Sequence, residues 1–246
     1  MTLPVFISDE PLSVGQLAVL DSDEGRHAVA VRRIQVGEQI ELVDGLGTRA
    51  TCEVVETSKR GLTARVDSVT SEPQGQPNFT VVQALAKGER SDLALEILTE
   101  VGVDQIIPWS AAHSIAKWDE TGKGLTKWRR VVREASKQSR RARFPIVAEL
   151  HNLDQVVQKI QASDLAIVLH ESATDRLADA AVPTSGEVLL IVGPEGGISE
   201  SELATFASAG AKILRMGDSV MRTSTAGGVG LAVLISQTNR WSSNQQ

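Results

Sequence analysis

The 246-residue sequence contains a single cysteine, Cys52, so no disulfide can close within the chain, which suits a reducing compartment. Its four histidines, His27, His113, His151 and His170, are scattered, and no His, Cys and carboxylate cluster has metal-ligand spacing. No metal is expected. No apolar run approaches the length of a membrane span, and the opening MTLPVFISDE is neither basic nor followed by an apolar core. Neither a membrane segment nor a signal peptide is therefore expected, and with the single cysteine a cytoplasmic location is the expectation. Two common nucleotide loops are also missing. No Gly-Lys-Ser/Thr follows Gly193, and Gly193, Gly196 and Gly197 have the wrong spacing for GxGxxG.

What is present is an ordinary globular composition, 41% apolar and 23% charged, long enough for two domains. The net charge of −6 argues against a nucleic-acid partner, but its distribution argues for one. Between Lys123 and Arg143 there are nine basic residues against one acid, a local +8 that leaves −14 on the remainder. Such a concentration is either an electrostatic footprint for phosphates or a solvated helix face.

Residues 1–72 read as mostly β: short strands at Val5–Ile7 and Leu17–Leu20, then Gln39–Val43, an Asp44-Gly45 turn, Arg49–Glu56 and Leu62–Val66. Asp23 is expected to cap a short helix through Ala28–Val31, and the whole pattern predicts a compact barrel. The polar, proline-bearing stretch Ser71–Asn78 marks a linker. A second domain, 79–246, then alternates strand and helix, which predicts a parallel sheet covered on both faces. Its strands are expected at Phe79–Ala84, Gln105–Trp109, Leu165–Leu169, Val188–Val192 and Ala211–Arg215. Its helices are expected after Ser91 (with Leu93, Ile97 and Val101 inward), from Leu125 to Arg141, after an Asp154 cap, and from Thr225 to Trp241. The last is apolar nearly all round, so it must be buried on more than one side. Gly227, Gly228 and Gly230 weaken it by about 1 kcal/mol each relative to alanine, which makes sense if something approaches its backbone closely.

The chain is organised around residues 188–230. A five-residue apolar run ends at Gly193-Pro194-Glu195-Gly196-Gly197, and Ser199 with Glu202 supplies a capping box for the next helix. A second loop, Met216–Thr225, follows the next strand. Loops at the carboxyl ends of strands are where open α/β sheets place ligands. Glu195 would repel a polyphosphate, so a neutral or cationic ligand fits better; a tight turn without ligand is the other reading.

IVGPEGGISESEL followed by ILRMGDSVMRTSTAG resembles the paired signature of the SPOUT RNA methyltransferases, and within them the branch that methylates N3 of a uridine in small-subunit ribosomal RNA. The resemblance extends through KGERSDLALEILTEVGVDQIIPW and QSRRARFP, so it spans most of the chain. It implies an α/β fold made of an N-terminal PUA-like β-barrel domain and a C-terminal SPOUT domain with a trefoil knot. It also implies a homodimer acting on the RNA of the small ribosomal subunit. In one place the chain departs from the pattern: the family often has glutamate where this chain has Ser224 in Arg222-Thr223-Ser224-Thr225-Ala226. Any role of that glutamate does not carry over.

The resemblance further implies S-adenosylmethionine, bound at Leu169, His170 and Glu171, at Gly193, Gly196 and Gly197, and at Leu214, Met216, Gly217, Val220, Met221 and Thr223. His170 and Glu171 are equally readable as plain loop residues. Arg222 is the cation best placed to meet negative charge on uracil oxygen, or else a structural arginine. No convincing general base is visible, and the hydroxyls of Thr223, Ser224 and Thr225 are expected to cap the last helix. Arg26, Arg32 and Arg33 in the first domain, with Lys87, Arg90, Lys137, Arg140, Arg141 and Arg143 in the second, are the candidate RNA contacts. A ribose 2′-hydroxyl methyltransferase and a non-catalytic RNA-binding protein are the alternatives.

Overall fold

The structure, a computed structural model, describes residues 2–118 and 121–242; positions 243–246 of the expected second domain lie outside them. The chain forms two compact units. One runs to Gln74 and takes in Ser136–Phe144; the other takes Gly75–Ala135 and the chain from Pro145 onward. Residues 136–144 were expected in the second domain, so the chain crosses between the units more often than one linker implies.

The first unit contains β1 (Val5–Ile7), β2 (Leu17–Leu20), α1 (Ser22–Arg26, continuing as a π-helical turn to Val31), β3 (Gln39–Val43), β4 (Thr48–Thr57) and β5 (Leu62–Ser71). The strand order is β1-β3-β4-β5-β2, with β1 parallel to β3 and the other pairs antiparallel. β1 and β2 are the two edges and do not pair among the described residues, so the expected barrel is an open five-stranded sheet. Phe6, Ile40, Leu42, Val54 and Val66 fill its core. Cys52 is part of that core; burial, with a smaller contribution from the charge of Asp67, pushes its thiol up to about 12. In the β3–β4 turn, burial of Asp44 is outweighed by hydrogen bonds from Thr48 and Leu46, which hold its carboxyl below the ordinary range. Asp21, not Asp23, is the N-cap of α1, and Asp23 instead pairs with Arg26 one turn on.

The second unit adds β6 (Asn78–Ala84), α2 (Glu89–Val101), β7 (Gln105–Trp109), most of α3 (Lys123–Gln138), β8 (Ile146–Val147), α4 (Leu153–Ala162), β9 (Leu165–Leu169), β10 (Glu187–Val192), α5 (Glu200–Ser208), β11 (Lys212–Leu214) and α6 (Thr223–Ile235). The six strands are all parallel in the order β11-β9-β10-β6-β7-β8. Each face is covered. Leu95 and Leu98 of α2, Trp128 and Val132 of α3, and Leu231 and Leu234 of α6 pack on one side; Val156 and Ile160 of α4 and Phe206 of α5 pack on the other. No helix among the described residues is long and apolar enough to cross a membrane.

Local details differ from the expectations in informative ways. The inward stripe of α2 is Ala94, Leu95 and Leu98, whereas Leu93 is 42% exposed; Gly88, without a side-chain cap, starts the helix and Ser91 is buried within it. Helix α4 is capped by Asn152 through a box with Gln155, and Asp154 lies in its first turn. Helix α6 is shorter than expected and is followed by a 3-10 turn at Asn239–Trp241. Its glycines do admit close neighbours: a Cβ on Gly228 would come within 2.2 Å of Ile97 Cγ2 on α2, and one on Gly230 within 3.0 Å of Leu169 Cδ1.

Candidate active site

Because all six strands run the same way, their carboxyl ends share one edge of the sheet. The segments that leave β9, β10 and β11 there, with the start of α2, line a cleft of about 360 Å³. Each is placed by local chemistry. The His170 N–H donates to the carbonyl of Leu214 (3.0 Å), tying the β9 loop to β11. In the β10 loop, Gly197 takes φ +75° and its N–H donates to Pro194 O (2.9 Å), closing a tight turn. The following helix is fixed by the Ser199–Glu202 capping box. After β11, the N–H of Arg215 donates to Asp175 O and its carbonyl accepts from Leu177 N–H, which pins the root of the last loop.

The floor of the cleft is apolar, made by Val192, Ile198, Met216, Met221 and Ala226, and its rim carries charges of both signs. Glu171 and Glu195 are exposed there, as are Arg90 and Arg222. Arg215 Nε is buried with no hydrogen-bond partner, although its Nη1 reaches Asp218 at 3.2 Å. An unpartnered buried donor is costly and calls for an acceptor at this wall. Arg222 is the N-cap residue of α6 and forms no ion pair among the described residues.

The cleft brings together Leu169, His170, Glu171, Gly193, Gly197, Met216, Gly217, Val220, Met221, Arg222 and Thr223. Two expected members stand apart. Leu214 is buried within the sheet, with its carbonyl engaged by His170. Gly196 faces away: a Cβ there would lie 3.0 Å from His113 Cβ, so its small size serves the packing of His113. The helix-cap expectation also changes. Thr223 and Ser224 lie inside the first turn of α6, both buried, while the Thr225 hydroxyl donates to Arg222 O (3.2 Å). Pro194 and Arg215 line it within the expected loops, whereas Ile198 and Ala226 were not foreseen, because nothing in their residue types distinguishes a wall from a core. Arg90 was foreseen as an RNA contact and also lines the cleft.

The basic segment divides. Lys137 is buried at 8% exposure, bonded through Nζ to both Glu24 oxygens (2.7 and 2.9 Å) and set over the Phe6 ring, so it is not available to RNA. Arg143 donates to Glu72 O and forms backbone bridges with Gly45 and Leu46; Arg141 Nε donates to Arg143 O. These two arginines are partly spent on the fold of the first unit. Arg140 holds φ +57° and is half-buried. On α3, Lys127 pairs with Asp92 and Arg129 with Glu149, whereas Arg130 is exposed with no ion pair among the described residues. Arg32, Arg33 and Lys87 are exposed. No group of His, Cys, Asp and Glu among the described residues could hold a metal ion.

Comparison with known proteins agrees with this geometry. Residues 73–235 match an RNA methyltransferase domain and residues 20–67 an RNA methyltransferase PUA domain. The ribosomal RNA small subunit methyltransferase E of Mycobacterium bovis is 46% identical over 98% of this chain and 94% of that protein. The protein of the same name from Bacillus subtilis is 28% identical over 89% of this chain and 90% of its own length. The crystal structure of a ribosomal RNA small subunit methyltransferase E from Neisseria gonorrhoeae bound to S-adenosylmethionine superposes with a TM-score of 0.88. It is 27% identical, and the match covers 96% of this chain and 98% of that one.

Proposed function

The chain belongs to the ribosomal RNA small subunit methyltransferase E family, and from that premise we propose that it methylates N3 of a uridine in small-subunit ribosomal RNA, using S-adenosylmethionine. The observation that carries this reading is the convergence of the β9, β10 and β11 loops on one cleft with Arg222 at its rim.

The cleft fits the cofactor. Its apolar floor suits an adenine ring, which the backbone of Met216 and Val220 would hold, since Leu214 does not line the cleft. Glu171 and Glu195 suit cationic groups, and the orphaned Arg215 Nε–H suits a carboxylate or another acceptor. When bound, S-adenosylmethionine supplies an electrophilic methyl group on a sulfonium. The chain's own part is alignment of donor and acceptor and stabilisation of charge. The N3 proton lies on the pairing edge of uracil, so the base must enter unpaired or flipped. Its loss places negative charge on O2 and O4, and Arg222, at the positive end of α6, would meet that charge. On the RNA side, Arg90 and Lys87 beside the cleft, Arg130 on α3, Arg140, and Arg26, Arg32 and Arg33 in the first unit would contact phosphates.

The same reading includes a trefoil knot at the C-terminus, homodimerisation and a cytoplasmic location. The knot rests on the family relation; in this chain α6 packs against β10, β6, α2 and the 177–179 turn. Dimerisation is supported by apolar side chains left uncovered on α2 and α6, with Leu93 42% and Val229 40% exposed. A compact active monomer at micromolar concentration in sedimentation equilibrium would remove the dimer. The function itself is tested by incubating small ribosomal subunits lacking the modification with labelled cofactor and identifying the nucleoside. N3-methyluridine is expected, and a ribose-methylated product overturns the assignment.

A further inference from the structure

His113 lies outside the three cofactor loops, in the segment that follows β7, yet it touches one of them. Its Nδ1 is 3.1 Å from Gly196 O and 3.2 Å from Gly197 O. Both partners are carbonyls, so Nδ1 must carry the proton and donate, which fixes the tautomer of the neutral ring. In a trans peptide the N–H points opposite to the carbonyl before it. With Gly196 C=O turned to His113, the Gly197 N–H is directed at Pro194 O, where it closes the turn. With Gly197 C=O turned the same way, the Ile198 N–H is directed to the other side, and Ile198 lines the cleft.

The backbone that carries the imidazole is itself held. The neighbouring Ala112 N–H donates to Glu202 Oε1 at 2.8 Å, and Glu202 is 5% exposed. The other oxygen of that carboxylate accepts from the Ser199 N–H (3.0 Å) and hydroxyl (2.7 Å) at the start of α5. One buried carboxylate therefore joins the His113 segment to the helix that leaves the β10 loop. Gly196 completes the fit, since any Cβ there would crowd His113 at 3.0 Å from its Cβ and 3.2 Å from its carbonyl oxygen.

We infer that His113 is a positioning residue for the cofactor: it clamps the Gly196 and Gly197 carbonyls from outside the cleft and so presets the wall against which S-adenosylmethionine binds. This rests on the reading of the cleft as the S-adenosylmethionine site. A preset loop spares the ordering cost at binding.

The test is a set of three variants, His113→Ala, His113→Asn and His113→Gln, each measured for S-adenosylmethionine affinity by calorimetry, for melting temperature, and for amide hydrogen exchange at 196–198 without ligand. Asparagine places an N–H donor at the same δ position as the imidazole, whereas glutamine places it one bond further out. His113→Ala is expected to weaken cofactor binding about tenfold, the scale of losing a hydrogen-bonded clamp, and to speed exchange at Gly197. His113→Asn restores both, and His113→Gln does not. An alanine variant with wild-type affinity and exchange overturns the clamp. An asparagine variant as weak as alanine, with melting temperature falling in step, reduces His113 to a packing residue. If the wild type fails to bind S-adenosylmethionine, the cofactor reading falls, and the ligand-free exchange rates still decide whether His113 holds the loop.

Discussion

Residues 136–144 and residues 219–224 both carry basic side chains, and the fold treats those cations in opposite ways. In the first, Lys137 is withdrawn from solvent and bonded to Glu24, and Arg143 reaches the carbonyl of Glu72. In the second, Arg222 stands exposed at the rim of a cleft with no ion pair among the described residues. Positive charge in a sequence says only that a cation exists. A buried carboxylate partner turns it into structure, and the lack of one leaves the charge available to a ligand.

The comparison breaks most readily at Arg222. Arg222→Ala should lower kcat by about 10²–10³, the cost of losing one preorganised donor to a developing oxyanion. Affinity for cofactor and RNA should change much less, because that charge is absent in the ground state. Arg222→Lys should restore activity only in part, since a point charge does not reproduce a planar fork of donors. Measuring kcat, cofactor affinity and melting temperature on one preparation decides the matter. Parallel loss of all three would make Arg222 a structural residue like Lys137.

Lys137→Ala should do the reverse. It strands a largely buried Glu24 carboxylate, a change that costs about 3 kcal/mol when one partner of a buried pair is removed. Chemical denaturation should show the loss, and Lys137→Met combined with Glu24→Gln should recover much of it. RNA affinity of the folded protein should be unaltered. A variant of wild-type stability with weakened RNA binding would restore Lys137 to the RNA surface.

The elements were legible in the sequence where period and punctuation agree. β9 is an unbroken apolar run and so is β10 from Val188 onward, Ser199 with Glu202 spells out a capping box, and Gly102 marks the end of α2 with its left-handed backbone. The cleft was legible because its glycine loops follow strands. What escaped depends on distant partners. Lys137 looks like its basic neighbours until Glu24, 113 positions away, is brought beside it. Gly196 looks like a cofactor glycine until His113 is seen against it. On α2 the expected stripe holds at Ile97 and Val101, which are partly buried, and fails at exposed Leu93, while Ala94, Leu95 and Leu98 fill the inward face, because periodicity alone does not set phase.

Gly228 shows the same division inside the cofactor half of the chain. Alanine there gains about 1 kcal/mol of helix propensity. Its Cβ, however, would meet the stiff, β-branched Ile97 at 2.2 Å, and forcing a methyl into a packed contact costs about 1–3 kcal/mol. Gly228→Ala should therefore destabilise by about 1 kcal/mol net, and Gly228→Ala with Ile97→Ala should be less destabilised than the sum of the two single changes. A more stable single variant would show that α2 and α6 have room to part.

The smallest effect belongs to Arg130, and it is the cleanest contrast with Lys137. Both lie on the basic helix α3, but Arg130 is exposed without an ion pair among the described residues. If it faces RNA phosphate, Arg130→Ala removes one counterion-releasing contact. The slope of log affinity against log salt should then become shallower by about 0.7–0.9, the value per phosphate for single- to double-stranded nucleic acid. Melting temperature should hold, since exposed positions without partners rarely matter to stability. Cofactor affinity should hold as well, because Arg130 is not among the residues lining the cleft. The decisive plot is RNA affinity against salt for Arg130→Ala and Lys137→Met side by side. A shift in slope for the first alone separates a cation that binds RNA from one that builds the fold. An unchanged slope for both would mean that α3 presents an ordinary solvated face.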